Sequence, residues 1–123
     1  MVDLFKALSD GTRLRMLSLV MEREMCVCEI EACLEISQTN ASRHLMLLRK
    51  CGILEYRKKA QWAYYSISQR FVIENKELYV YLQRKLRELP TYVKDCEKIA
   101  NCCHNELCLQ PRRPKKGDRN EEE

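Results

Sequence analysis

The sequence predicts a mainly helical domain that carries one small β-hairpin. Two observations predict it. Apolar residues recur at helical spacing in separate stretches, as at Leu14, Leu17 and Met21, at Ala41, Leu45 and Leu48, and at Leu78, Leu82, Leu86 and Leu89. Between the second and third stretches the period drops to two, with Leu54, Tyr56 and Lys58 alternating and Trp62, Tyr64 and Ser66 doing the same. Composition agrees, because the 123 residues include only three Gly and three Pro, the two residues that most disfavour helix. That length suits a single core.

A short helix is expected over residues 3–8, followed by a turn at Ser9-Asp10-Gly11-Thr12 whose Asp10 can cap the next helix. That second helix should end near Arg23 and bury one stripe, Leu14, Leu17 and Met21. A third helix is read over residues 27–34, with Ile30 and Leu34 inward and Glu29 and Glu31 facing water. After a short break, Ser37 is a good N-cap for a helix that turns Ala41, Leu45 and Leu48 inward. Gly52 suits its left-handed end. The hairpin follows, and its tip Lys59-Ala60-Gln61 lacks the Asn-Gly signature of the tightest turns, so a longer loop is expected. A basic hairpin behind two helices joined by a tight break is the wing of a winged helix-turn-helix. The helix expected over residues 75–89 has a stripe too wide for an isolated surface helix, so part of it should face a partner subunit. Pro90 can open a last helix with Tyr92, Cys96, Ile99 and Cys103 along one side. The expected organisation is one domain over residues 1–109 and a disordered charged tail over residues 110–123.

Net charge is modest, 22 basic minus 18 acidic residues giving +4. Its distribution is not even. Between Ser37 and Tyr65 stand Arg43, Arg49, Lys50, Arg57, Lys58 and Lys59 against Glu55 alone, a footprint suited to phosphates. No stretch approaches the roughly 18 to 20 apolar residues of a membrane span, and no secretory signal opens the chain, so a cytoplasmic protein without a membrane partner is expected. No protein substrate is evident. Catalysis is not expected either: no nucleophile motif sits beside a positioned base, no glycine-rich phosphate loop is present, and the chain has two His, at 44 and 104. Eight cysteines in a reducing compartment point to metal binding, redox chemistry or packing.

The segments Lys6-Ala7-Leu8-Ser9-Asp10-Gly11-Thr12-Arg13-Leu14-Arg15, Cys26-Val27-Cys28-Glu29-Ile30, Ser37-Gln38-Thr39-Asn40-Ala41-Ser42-Arg43-His44-Leu45 and Trp62-Ala63-Tyr64-Tyr65, in this order, resemble the ArsR/SmtB family of metal-sensing repressors. The likeness covers about residues 3 to 68. It implies a homodimer, joined through N-terminal and C-terminal helices, that represses an operator on double-stranded DNA with no cofactor and lets go when it binds an inducer. Gly11 departs from the pattern, since the family usually has Pro at the start of this helix.

In such a protein the second helix of the pair enters the major groove with its N-terminal residues toward the bases. The residues so placed are Ser37, Gln38, Thr39, Asn40, Ser42, Arg43 and His44, of which Gln38, Ser42 and His44 are favoured for base-edge contacts. Arg57, Lys58 and Lys59 would hold the wing to phosphate or minor groove. Trp62, Tyr64 and Tyr65 are read as packing within the wing.

Two thiol clusters compete as the inducer site. Cys26-Val27-Cys28 matches the family's sensing motif, yet residues two apart in a helix point roughly 200° away from each other, so both sulfurs can meet one ion only if this turn begins outside the helix or unwinds. The third cysteine of the arsenic-type motif is replaced by Glu31, and Cys33 stands two residues too late. With no cysteine ahead of Cys26, completion from an N-terminal arm, as in cadmium-type relatives, is not expected. The second cluster, Cys102, Cys103 and Cys108 with His104, resembles a C-terminal trithiolate of another arsenic-sensing branch. Three thiolates suit As(III) or Sb(III). Cd(II), Pb(II) or Zn(II), thiol oxidation and a structural zinc module are the alternatives, and both clusters can also close into one composite site. Zinc ranks lower, because the family's paired Asp-x-His and His-x-x-Glu are missing. Cys33, Cys51 and Cys96 are read as packing.

Overall fold

The structure, a computed structural model, describes residues 1–101. Helix α1 (Val2–Leu8) turns into α2 (Gly11–Glu22) at Asp10, whose carboxylate accepts from the Arg13 backbone N–H at 3.0 Å, the expected N-cap. Helix α2 is the axis of the domain. Met16, Leu17, Ser18, Leu19 and Val20 are all buried while Leu14 and Met21 are only half-buried, so the helix is enclosed on every side instead of along the one expected stripe. Tertiary contacts cause this, since elements from both ends of the chain pack around it.

A two-residue strand, β1 (Met25–Cys26), leads into α3 (Val27–Leu34), and α4 (Gln38–Lys50) follows after three residues. Between them Glu35 takes the left-handed conformation, φ 57°, and the N–H groups of Glu35 and Ile36 both donate to the Glu31 carbonyl, at 2.8 and 3.3 Å. Ser37 then caps α4, its hydroxyl accepting from the Asn40 N–H at 3.2 Å, and Ala41, Leu45 and Leu48 are fully buried as their spacing predicts.

Beyond Gly52, at φ 84°, strands β2 (Leu54–Lys59) and β3 (Trp62–Ile67) form the wing. The expected long loop at its tip is not there. Lys59 pairs directly with Trp62, leaving a two-residue turn, and Ala60 itself adopts φ 57°, so no glycine is used. β1 pairs with the other edge of β3, Met25 opposite Tyr65 and Cys26 opposite Tyr64, giving the order β1-β3-β2.

A short helix that was not expected, α5 (Gln69–Glu74), capped by Ser68, precedes α6 (Lys76–Leu86), which is the helix expected over residues 75–89 and ends three residues sooner. Leu82 and Leu86 join the core. Helix α7 (Tyr92–Asn101) returns across α2 and α3, where Arg15 grips the fully buried Asp95 with two hydrogen bonds of 2.9 and 3.0 Å. Tyr92 donates to Glu22 at 2.7 Å, and Lys98 pairs with Glu35 in the inter-helix turn. Among the described residues no helix is long and apolar enough to cross a membrane. Cys102, Cys103, His104, Cys108 and the tail over residues 110–123 lie outside the described residues.

Candidate DNA interface and thiol site

The first turns of α4 stand at the surface. Thr39, Asn40 and Arg43 are exposed and Gln38 is half-buried, while Arg43 donates to the Asn40 side-chain oxygen at 2.9 Å. Ser42 and His44 face another way. The Ser42 hydroxyl is closed off from solvent and has no hydrogen-bond partner among the described residues. His44 Nδ1 lies 3.0 Å from Nη1 of Arg13, which can only donate, so this nitrogen accepts and the ring proton sits on Nε2. Arg13 also donates through Nε to the Ala7 carbonyl at 2.7 Å, tying α1, α2 and α4 together. Burial, chiefly, holds His44 below the usual imidazole range, with the Arg13 and Arg43 charges adding to it and the Asp10 carboxylate opposing.

On the wing Lys58 and Lys59 are exposed. Arg57 is engaged: its Nε and Nη2 meet the two carboxylate oxygens of Glu24 at 2.6 and 2.7 Å. Tyr56 and Tyr65 pack ring to ring with centroids 5.4 Å apart, and Arg49 covers Tyr56 at 4.3 Å, so these tyrosines serve the wing's own packing.

Cys26 is the N-cap of α3, with extended backbone at φ −90° and ψ 166°, and Cys28 lies inside the first turn. The two sulfurs are 2.7 Å apart. Cys26 stands outside the helix, the backbone condition that the sequence set for both sulfurs to face one side. Cys26 is 1% exposed, and Cys28 is half-buried. The carboxylate of Glu29, expected to face water, is instead fully buried beside them. One of its oxygens accepts from the Cys26 N–H at 3.0 Å and the other from Arg23 at 2.9 Å, completing a capping box in which Cys takes the place usually held by Ser or Thr. The signal for it was the spacing Cys26-x-x-Glu29. Among the described residues no group of three His, Cys, Asp or Glu side chains is placed to hold a metal ion. The structure therefore brings Cys26 and Cys28 together, with Cys33 in the core, Cys51 half-buried against the Asp3 carbonyl and Cys96 half-buried on α7.

Residues 10–56 match the family described as bacterial regulatory protein, arsR family. Over 64 residues the chain is 53% identical to an arsenic resistance transcriptional regulator of Pseudomonas putida, an alignment covering 51% of this chain and 50% of that protein. Over 69 residues it is 44% identical to a homolog of the cadmium resistance transcriptional regulatory protein in Staphylococcus aureus, covering 55% and 57%. The fold superposes on reduced HlyU from Vibrio cholerae with a TM-score of 0.56 and 37% identity, over 66% of this chain and 85% of that one. The chain belongs to the arsR family of bacterial regulatory proteins. Membership assigns the matched segment to a family of regulatory proteins and not of enzymes. The arsR-family match runs from the cap of α2 into β2 and takes in Cys26 and Cys28, while α7 lies beyond it. The chain spans about half the length of the curated relatives it matches.

Proposed function

We propose that this arsR-family chain is a cytoplasmic repressor that binds operator DNA as a homodimer and is released when trivalent arsenic or antimony is captured by its thiolates. The observation that carries the reading is the convergence of the Cys26 and Cys28 sulfurs, 2.7 Å apart at the start of α3. The N-terminal end of a helix favours negative charge, which suits thiolate ligands there. Two sulfurs supply two of the three donors of a pyramidal As(III) or Sb(III) site. The third then comes from Cys102, Cys103 or Cys108, on the same chain or its partner, and soft ligands of this kind select soft ions. Likeness to the cadmium regulator of Staphylococcus aureus favours a Cd(II), Pb(II) or Zn(II) response as the second reading.

Repression itself uses no cofactor. Gln38, Thr39, Asn40 and Arg43 at the start of α4 face the major groove, Ser37 fixes that end of the helix, and Lys58 and Lys59 with Arg57 hold the backbone. Ser42 and His44 support α4 from behind, His44 keeping its Nε2–H for a phosphate. The dimer uses the exposed apolar residues of the outer helices, Val2 and Phe5 on α1 and Val80 and Tyr81 on α6, which are 50% or more exposed in the single chain. Inducer and DNA favour different conformations, so each weakens the other by the same coupling free energy, typically about 1 to 3 kcal/mol.

The test is fluorescence anisotropy of a duplex carrying the gene's own upstream region, titrated with reduced protein and then with arsenite, antimonite, cadmium, zinc or peroxide. Arsenite and antimonite release the duplex, and Cys26→Ser or Cys28→Ser abolishes release with binding intact. Release by cadmium or zinc alone moves the assignment to the second reading, release by peroxide alone to redox sensing. Absence of DNA binding overturns the repressor.

A further inference from the structure

Arg57 stands in the basic wing, yet an acid already holds it. Both oxygens of Glu24 meet the guanidinium in a forked pair at 2.6 and 2.7 Å, the geometry with which arginine also binds phosphate. The pair lies at the surface, with the Arg57 side chain 58% exposed and that of Glu24 30% exposed, so a phosphate can reach the guanidinium without uncovering buried charge. Arg23, Lys59 and Tyr64 complete the walls of a hollow of about 230 Å³ around them, in which Glu24 is the one acid among three cations. Arg57 and Lys59 both draw the Glu24 carboxyl below the usual range, Arg57 more strongly. Arg23 is occupied by Glu29 at 2.9 Å.

We propose that Arg57 exchanges partners, holding Glu24 in the free protein and a DNA phosphate in the complex, so that Glu24 competes with DNA for the wing. The inference rests on the DNA-binding reading above and adds to it a residue, Glu24, that sets affinity from outside the contact surface. An exposed ion pair is weak and screened by salt, which makes it replaceable by another forked anion of similar strength. Glu24 lies on the approach to β1, and Arg57 is paired across the sheet with Tyr64, itself paired with Cys26, so the exchange takes place close to the strand that carries Cys26.

The experiment measures duplex affinity by anisotropy across a salt series for the full chain, for Glu24→Gln, for Arg57→Gln and for the double variant. Glu24→Gln is expected to bind about two- to fivefold tighter, the range of an exposed pair. Because Arg57 meets the same phosphate in both complexes, the slope of log affinity against log salt should change by well under the roughly 0.9 of a whole contact, and the gain should shrink as salt screens the competing pair. Arg57→Gln should bind more weakly, and in that background Glu24→Gln should change nothing. Glu24→Gln that binds equally or more weakly overturns the exchange, because Glu24 would then be idle or would orient Arg57 for DNA. So does equal tightening in the Arg57→Gln background, which would show only the loss of a repelling charge. A parent chain that binds no duplex overturns the repressor reading and this one with it; a parent that binds while Glu24→Gln fails to tighten overturns this one alone.

Discussion

Arg13 donates to Nδ1 of His44 across 3.0 Å, joining the first turn of α2 to the middle of α4. The contact needs a neutral imidazole, since a protonated Nδ1 would set two donors and two positive charges against each other. His44 is held below its ordinary value of 6.5, first by burial. The unfolded chain therefore takes up the proton before the folded one does. This contribution to stability is full above about pH 6.5 and is lost as pH falls from there through the depressed folded value. Urea midpoints measured from pH 7.5 down to 5.5 should fall below about pH 6.5, and His44→Asn, which keeps an acceptor for Arg13, should flatten that fall. A midpoint that rises on acidification would contradict the Arg13–His44 geometry.

Gly11 is the first residue of α2, follows the extended Asp10 at φ −128° and ψ 130°, and leaves room where an added Cβ would meet nothing within 4 Å. These are the conditions proline needs at the start of a helix, where its missing N–H has no intrahelical partner and the preceding residue must be extended. Gly11→Pro should stabilise the fold by about 0.5 to 1 kcal/mol by restricting the unfolded chain. At fixed protein concentration the thermal midpoint should rise by about 2 to 6 °C. A lowered midpoint would show that the backbone here departs from proline's range.

The Arg15–Asp95 pair fastens α7 to α2 with the carboxylate wholly buried and the arginine 28% exposed. Removing the arginine leaves a buried charge without its partner. Arg15→Leu should cost about 3 to 5 kcal/mol in urea unfolding, whereas the double change Arg15→Leu with Asp95→Leu should recover most of the loss, since a paired charge and an apolar pair are often close in energy. A double variant no better than the single one would mean that the ion pair orients α7 in a way apolar packing cannot replace.

The enclosed hydroxyl of Ser42 carries a desolvation cost with no hydrogen bond among the described residues to offset it. Ser42→Ala should be neutral or stabilising by up to about 1 kcal/mol in chemical unfolding. Its duplex affinity in the anisotropy titration should stay within about twofold of the parent, well under the cost of losing a base contact. A tenfold loss of affinity would show that this side chain turns outward to a base.

The helix-turn-helix was legible because its signals are local. Asp10 and Ser37 announce caps, the Ala41, Leu45 and Leu48 spacing announces a buried face, and the change of period at Leu54 announces the wing. Much of what escaped depends on partners distant in the chain: Asp95 meets Arg15 across 80 residues of sequence and Glu24 meets Arg57 across 33. Glu29 is different, since its partners Arg23 and the Cys26 N–H are local and the Cys26-x-x-Glu29 spacing carried the signal. Strand β1 is two residues long, too short for any periodicity, and exists because β3 offers it an edge. The enclosure of α2 likewise follows from the return of α6 and α7, which no pattern within α2 records. At the thiol site, sequence stated the requirement that one cysteine leave the helix, and the backbone of Cys26 meets it.

The strand order β1-β3-β2 makes the wing a lever with its fulcrum at the thiols. Tyr64 sits opposite Cys26, and the turn at Ala60 and Gln61 lies three residues further along β3, an arm of about 10 Å. A tilt of about 10° at the fulcrum would carry the tip nearly 2 Å, more than a hydrogen bond tolerates. Distortion at Cys26 would thus reach Lys58 and Lys59 at the tip magnified, and because Cys26 also caps α3, which packs on α4, the same distortion would reach the helix proposed to read DNA. One event at the thiols would then unseat two separate surfaces, the wing by leverage and the helix by direct contact.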